Sequence, residues 1–215
     1  ADPVCVPVYY VSKLATDNGV TVCHVGEGAD ELFCGYSSWR IFLFLEWANT
    51  WPIPRFVKKF GVQTLTTLGL GNKLYTEFLR RAAEGLPIFW GGAEAFPECA
   101  KRDILSPRLK KKFLGRSSWE VISKIRARFE KNAWDTSPLS WMSYLDLNLR
   151  LPELLLMRVD KMSMATSIEA RVPFLDHCFV QHALSISPKL KTQGYELKYL
   201  LKKAVRGLIP EKIIK

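Results

Sequence analysis

Apolar positions recur at helical spacing from about Pro7 to Asp17, then run unbroken from Val20 to Val25 after the turn dipeptide Asn18-Gly19. The pattern predicts helix, turn, strand. Because the run is apolar on both faces, it reads as a buried strand of a parallel sheet with helices on either side, an α/β opening. From about Ser37 to Arg150 apolar residues return every three or four positions, as in Phe42, Leu45, Ala48 and Val121, Ile125, Phe129. Mainly helices with long connections are expected there. Pro152 suits the first turn of a helix that carries Leu155, Val159 and Met162 on one stripe and ends near Ile168. A rigid connection follows from Glu169 to Asp176, and Asp176 is placed to cap a helix bearing Phe179, Val180, Ala183 and Leu184. A last helix is expected from about Tyr195 to Arg206, closed by Gly207. No strand is predicted after Val25. The chain thus divides into 1–36, a helical region 37–150, and 151–215.

Composition adds exclusions. With 215 residues, 48% hydrophobic and 24% charged, the chain is long enough for a real core and is neither disordered nor collagen-like. Its most apolar patches, Ile41 to Leu45 and Leu86 to Trp90, are far shorter than the roughly 20 residues of a membrane span, so no membrane partner is expected. Cys5, Cys23, Cys34, Cys99 and Cys178 are odd in number and form no C-x-x-C pair, which speaks against a disulfide scaffold or zinc finger and for a reducing cytoplasm. His24, His177 and His182 lack ligand spacing with the cysteines and receive no metal role. The net charge of +10 concentrates in two stretches: residues 101–131 hold 11 Lys and Arg against 3 Asp and Glu, and residues 189–215 hold 8 against 2. Nucleic acid, an acidic surface, a phosphorylated small molecule and a solvated face all fit such charge. A nucleic-acid module is disfavoured, because Arg108 to Lys112 has no interleaved aromatics.

The chemistry concentrates in Gly26-Glu27-Gly28-Ala29-Asp30-Glu31-Leu32-Phe33-Cys34-Gly35-Tyr36, directly after the expected strand. Ligands of open α/β sheets bind at such carboxyl ends. Glycines admit close backbone approach, and a carboxylate beside a nucleotide suits Mg2+, a hard ion that shares its shell with phosphate oxygens. The plainer alternative is an acidic helix N-terminus, with Asp30 and Glu31 complementing the dipole.

This segment resembles the G-E-G-[SA]-D-E-L-F-x-G-Y motif of the glutamine-dependent asparagine synthetase family. Two further stretches resemble that family in the same order: Arg158 to Asp176, and Glu196-Leu197-Lys198-Tyr199-Leu200-Leu201. The resemblance implies a partial ATP pyrophosphatase fold of the adenine-nucleotide α-hydrolase type, with a large, mainly helical remainder. It implies that ATP and Mg2+ activate a substrate carboxylate, aspartate foremost, as an acyl adenylate, and that glutamine-derived ammonia then displaces AMP. Carried over by position, Gly26, Gly28 and Asp30 bind the cofactor, Asp30 being the Mg2+ ligand. Glu27 lies near the reacting acyl group, where it can take the proton ammonia loses, and Lys198 stabilises phosphate charge. Lys202 and Arg206 extend Lys198 into a cationic helix face suited to pyrophosphate or simply to solvent. Asp160, Lys161, Glu169 and Arg171 form either part of the site or an internal ion-pair network, and Glu153 is a candidate substrate-pocket acid. Cys34 stands where the family commonly has glycine, which disfavours positive φ there and leaves it a small packing residue.

The family's ATP-gripping S-G-G-x-D-S loop is not among these residues, nor is its glutaminase domain with a leading cysteine. The expectation is therefore a carboxy-terminal fragment, inactive alone, whose exposed sheet edges favour pairing between copies. Amidation of another carboxylate, such as a sugar acid in surface-polysaccharide synthesis, is the alternative within the same chemistry. A noncatalytic binding module is the alternative outside it.

Overall fold

The structure, a computed structural model, describes residues 2–193 and 196–214, at position 102 the backbone alone. In chain order the elements are α1 (Cys5–Asp17), β1 (Val22–His24), α2 (Ala29–Phe33), α3 (Ser38–Asn49), α4 (Arg55–Thr67), α5 (Leu74–Glu84) and α6 (Glu98–Ile104). Next come α7 (Pro107–Lys112), α8 (Trp119–Asn132), α9 (Pro138–Asn148), a π-helical turn (Leu151–Leu156), α10 (Met157–Met164) and β2 (Glu169–Arg171). A 3-10 turn (Pro173–Leu175), α11 (His177–Ser185), α12 (Pro188–Lys191), α13 (Tyr199–Val205) and α14 (Glu211–Ile214) complete the mixed α/β chain, which is mostly helical. No helix among the described residues is long and apolar enough to cross a membrane. The chain forms two compact units, Ala1–Ser37 with Met142–Lys215, and Ser38–Trp141.

In the first unit β1 and β2 run parallel, with Val22 opposite Glu169, Cys23 opposite Ala170 and His24 opposite Arg171. Backbone bonds from Glu169 to the Thr21 carbonyl (2.9 Å) and from Val25 to the Arg171 carbonyl (2.8 Å) extend the ladder. β2 corrects the expectation that no strand follows Val25. A Glu-Ala-Arg triplet has neither β-branched residues nor an apolar alternation, so only pairing with β1 makes it a strand. The buried character expected of β1 is also corrected: Val20 and Val22 are 39% and 37% exposed. α1 packs on α10, and Thr16 Oγ1 donates to the Thr166 carbonyl at 2.5 Å.

Pro152 lies in the first turn of its element, as expected, but the helix it opens is not uniform. Proline has no N–H for the regular ladder, and the backbone around it widens into the π turn before α10 resumes. α10 stops at Met164, short of Ile168, and Ser167 turns left-handed (φ 60°). Asp176 caps α11 as expected, its Oδ1 accepting from the Cys178 and Phe179 amides at 3.0 and 3.1 Å. α11 then lays Phe179, Val180 and Ala183 against Leu32 and Phe33 of α2, which fixes the acidic segment onto a core. The last long helix starts at Tyr199; Tyr195, the expected start, lies outside the described residues, and Lys198 is left-handed (φ 54°).

The second unit is built on aromatic contacts. Phe42 meets Phe89 edge-on at 5.0 Å, and Trp141 Nε1 donates to the Phe89 carbonyl at 3.1 Å. Arg81, 1% exposed, is paired with Glu77 and Glu94 and lies 3.9 Å over Trp90. Within the basic stretch, Lys101 pairs with Glu98, Arg116 with Glu120 and Arg126 with Glu130, so part of its charge is met locally.

Replacing Asp176 by Ala removes both cap bonds, and the expected result is a loss of about 1 kcal/mol in urea-melt stability. Cys178→Ala, two residues on and exposed, is expected to leave the midpoint in place.

Candidate functional site

The acidic segment leaves β1 through exposed Gly26 and half-buried Glu27, then bends sharply at buried Gly28. Gly28 has φ 92°, and a methyl group there would overlap the Leu175 side chain, so glycine answers both a conformational and a steric demand. α2 follows for a single turn and a half and ends on Cys34, itself left-handed at φ 59°. Cysteine thus adopts the positive φ that its side chain was expected to disfavour, which corrects that expectation. It is 4% exposed, and burial pushes its thiol up to about 11, against the opposing charge of Lys191. This is a packed, protonated thiol rather than a nucleophile.

Asp30 and Lys198, distant in sequence, meet: Lys198 Nζ lies 2.8 Å from Asp30 Oδ1, with both side chains about one-third exposed. Gly35 passes directly beneath, and a methyl group there would overlap both Asp30 Oδ1 and Lys198 Cε. An ammonium carries three donors, so this pairing leaves two for another anion. Lys202 and Arg206 do not join Lys198 in one cationic helix face. Lys198 precedes α13 and Arg206 follows it, while Lys202 lies 3.6 Å from Glu196 and Arg206 3.9 Å from Glu211.

The middle-motif residues pair among themselves. Asp160 and Lys161 are exposed sequence neighbours 3.7 Å apart, and Glu169 and Arg171 pair at 2.7 Å with each side chain 59% exposed. The Arg171 hydrogen bond and charge hold the Glu169 carboxyl below its ordinary value. An internal ion-pair network is therefore corrected to two local surface pairs, since strand β2 turns both its charged side chains outward. Glu153 is exposed on the π-helical turn. Asp176, His177 and Cys178 bring their ligand atoms within 4.8 Å of one another, but all three are exposed and Asp176 is engaged as a cap.

Missed by sequence reading is a polar cluster behind the acidic segment. Glu31 is 1% exposed and accepts a 2.5 Å hydrogen bond from Tyr36 Oη. Arg150 lies 3.7 Å over the Tyr36 ring, and Ser143 Oγ donates to the Glu31 carbonyl at 2.6 Å. Burial pushes the Glu31 carboxyl above its ordinary value, opposed by the Tyr36 hydrogen bond and the Arg150 charge. Burial and Glu31 together push the Tyr36 hydroxyl up. The signal was the Asp30-Glu31 doublet itself, because two adjacent helical carboxylates cannot face the same way.

A family model described as Asparagine synthase matches residues 1–215. The chain belongs to the asparagine synthase family. Asparagine synthetase [glutamine-hydrolyzing] 1 of Bacillus subtilis is 33% identical over 214 residues, covering all of this chain and 32% of that protein. Asparagine synthetase [glutamine-hydrolyzing] 3 of the same organism is 42% identical over 60 residues, 28% of this chain and 10% of the relative. Amidase chyE of Penicillium rubens is 26% identical over 91% of this chain and 31% of its own length. The chain thus spans about a third of the length of the longer-matching relatives. No solved structure matches.

Gly35→Ala is expected to drive Asp30 and Lys198 apart and to cost about 1–3 kcal/mol by overpacking, read from chemical denaturation. Gly26→Ala, where an added Cβ meets open space, is expected to be nearly neutral.

Proposed function

We propose that this chain is the carboxy-terminal portion of an ATP pyrophosphatase-type synthetase domain, of adenine-nucleotide α-hydrolase fold. Its protein amidates the side-chain carboxylate of aspartate, using ATP and ammonia drawn from glutamine, in the cytoplasm. The observation that carries this reading is the Asp30–Lys198 pair, which joins the first and last family-like segments at the carboxyl end of β1.

The chemistry asks for a leaving group. A carboxylate is a poor acyl donor to an amine, and adenylation remedies that if cations offset the charge growing on the α-phosphate and pyrophosphate. Lys198 is placed to do so with the two donors that Asp30 does not take. Asp30 is a hard, partly exposed oxygen ligand, and among the described residues no cluster of three His, Cys, Asp or Glu ligand atoms surrounds it. A lone carboxylate fits Mg2+, which keeps waters and phosphate oxygens in its shell. Asp30 would hold that ion; when bound, it supplies charge neutralisation at the phosphates. Glu27, half-buried on the strand side of Gly28, is suited to receive the proton that ammonia loses on attack. Gly26 and Gly28 let the backbone approach the nucleotide. Glu153, Asp160, Lys161, Glu169 and Arg171 are exposed and are proposed to act on substrate arriving from solvent or from the rest of the protein.

A second acceptor within the same chemistry keeps its place, because a relative over 91% of this chain is named an amidase rather than an asparagine synthetase. In the full-length protein carrying this chain, Lys198→Ala and Asp30→Asn are each expected to lower acceptor-dependent pyrophosphate release by about 100-fold or more. Lys110→Ala, in the basic stretch, is expected to leave it unchanged. Release that responds to sugar acids and not to aspartate would move the acceptor. No carboxylate-dependent release at all from the wild-type protein would end the synthetase reading.

A further inference from the structure

Asp30 and Glu31 are adjacent on a five-residue helix but face opposite surroundings. Asp30 is 35% exposed and reaches Lys198, whereas Glu31 is 1% exposed and reaches inward to Tyr36. A helix this short has no stability of its own, so its orientation depends on what its residues hold. Leu32 and Phe33 sit in the core with Ala183, which fixes the far end. The end that carries Asp30 is held by Glu31.

Glu31 is a costly choice for that task if packing were all it did. Its Oε2 is buried with no hydrogen-bond partner among the described residues, and a buried carboxyl left half-satisfied destabilises a fold that an apolar residue of similar size would not. Its position accounts for it. The Tyr36–Glu31 hydrogen bond spans the left-handed Cys34 and Gly35, and Gly35 is the surface on which Asp30 and Lys198 rest. One turn of backbone is thus clamped from the interior by Glu31 and Tyr36 and supports the ion pair on its outer side. With no free space between Gly35 and the pair, a shift of the turn displaces Asp30 and Lys198 directly. Arg150 lies against the Tyr36 ring from the far side, and Ser143 ties the Glu31 carbonyl to α9.

We infer that Glu31 and Tyr36 are positioning residues, whose buried hydrogen bond, braced by Arg150, holds the acidic segment so that Asp30 and Lys198 meet in one geometry. The consequence for ATP chemistry rests on the function proposed above; the positioning does not. Hydrogen exchange of this chain tests it directly. In Tyr36→Phe and in Glu31→Leu, amides of residues 26–36 are expected to exchange about tenfold faster than in wild type, while Met157–Met164 keeps its protection. Glu31→Gln, whose carbonyl still accepts from Tyr36, is expected to stay within about twofold of wild type. Wild-type exchange at 26–36 in either Tyr36→Phe or Glu31→Leu would overturn the inference, as would failure of Gln to restore protection. Equal acceleration across Met157–Met164 would also overturn it, by reducing the cluster to general stability. A loss of protection confined to 26–36, in a protein that shows no pyrophosphate release, would leave the positioning intact and remove the synthetase reading alone.

Discussion

The ion pair between Asp30 and Lys198 has room to form only because position 35 carries no side chain. Much of the surrounding backbone is arranged to deliver those two groups there. Among the described residues, non-glycine residues with positive φ are Cys34, Ser167 and Lys198, and two of these three adjoin the pair. A left-handed conformation costs an ordinary residue about 1–2 kcal/mol. A partly exposed ion pair returns at most about 1 kcal/mol, so the contact does not repay its own backbone. Strain held at one place by a well-packed frame is characteristic of functional sites, and that imbalance is the physical reason to read the pair as chemistry rather than as stability. The frame is visible: α2 is pinned by α11 through Phe179 and Ala183, and by α9 through Ser143.

Features that depend on nearest neighbours were legible in the chain. The Asn18-Gly19 turn, the Asp176 cap, the Gly207 close and the helical run from 38 onward each follow from local rules of conformation and hydrogen bonding. The acidic segment stood out as a candidate because glycine and carboxylate types recur there at short spacing, and its role remains a proposal. Features that depend on distant partners were not. β2 is a strand only through β1, and nothing in Glu169-Ala170-Arg171 announces it. Lys198 fits a helical pattern with Lys202 and Arg206, yet its backbone turns left-handed and each of these cations faces a different acid. The π turn at Pro152 answers a missing N–H in a nearly continuous helical stretch, where the regular first turn of an α-helix was the more economical reading. Glu31 looked like a second dipole-complementing acid, and only tertiary burial separates its role from that of Asp30.

The separation of Lys198 from α13 has a further meaning. A lysine inside a helix points where the helix points, and its neighbours at four and eight residues share its direction. Set one residue ahead of the helix, with its carbonyl accepting the Lys202 amide at 2.9 Å, Lys198 starts the helix while its side chain is free of the helical face. The positive charge offered beside Asp30 is therefore one localised ammonium, not a stripe. A diffuse cationic face binds polyanions indifferently and loses them as salt screens it. One ammonium held against one carboxylate, over a position with no room for a side chain, is a point charge instead. Under the function proposed above, that localised charge is what a departing pyrophosphate would require, with Asp30 as the residue that would hold the metal ion.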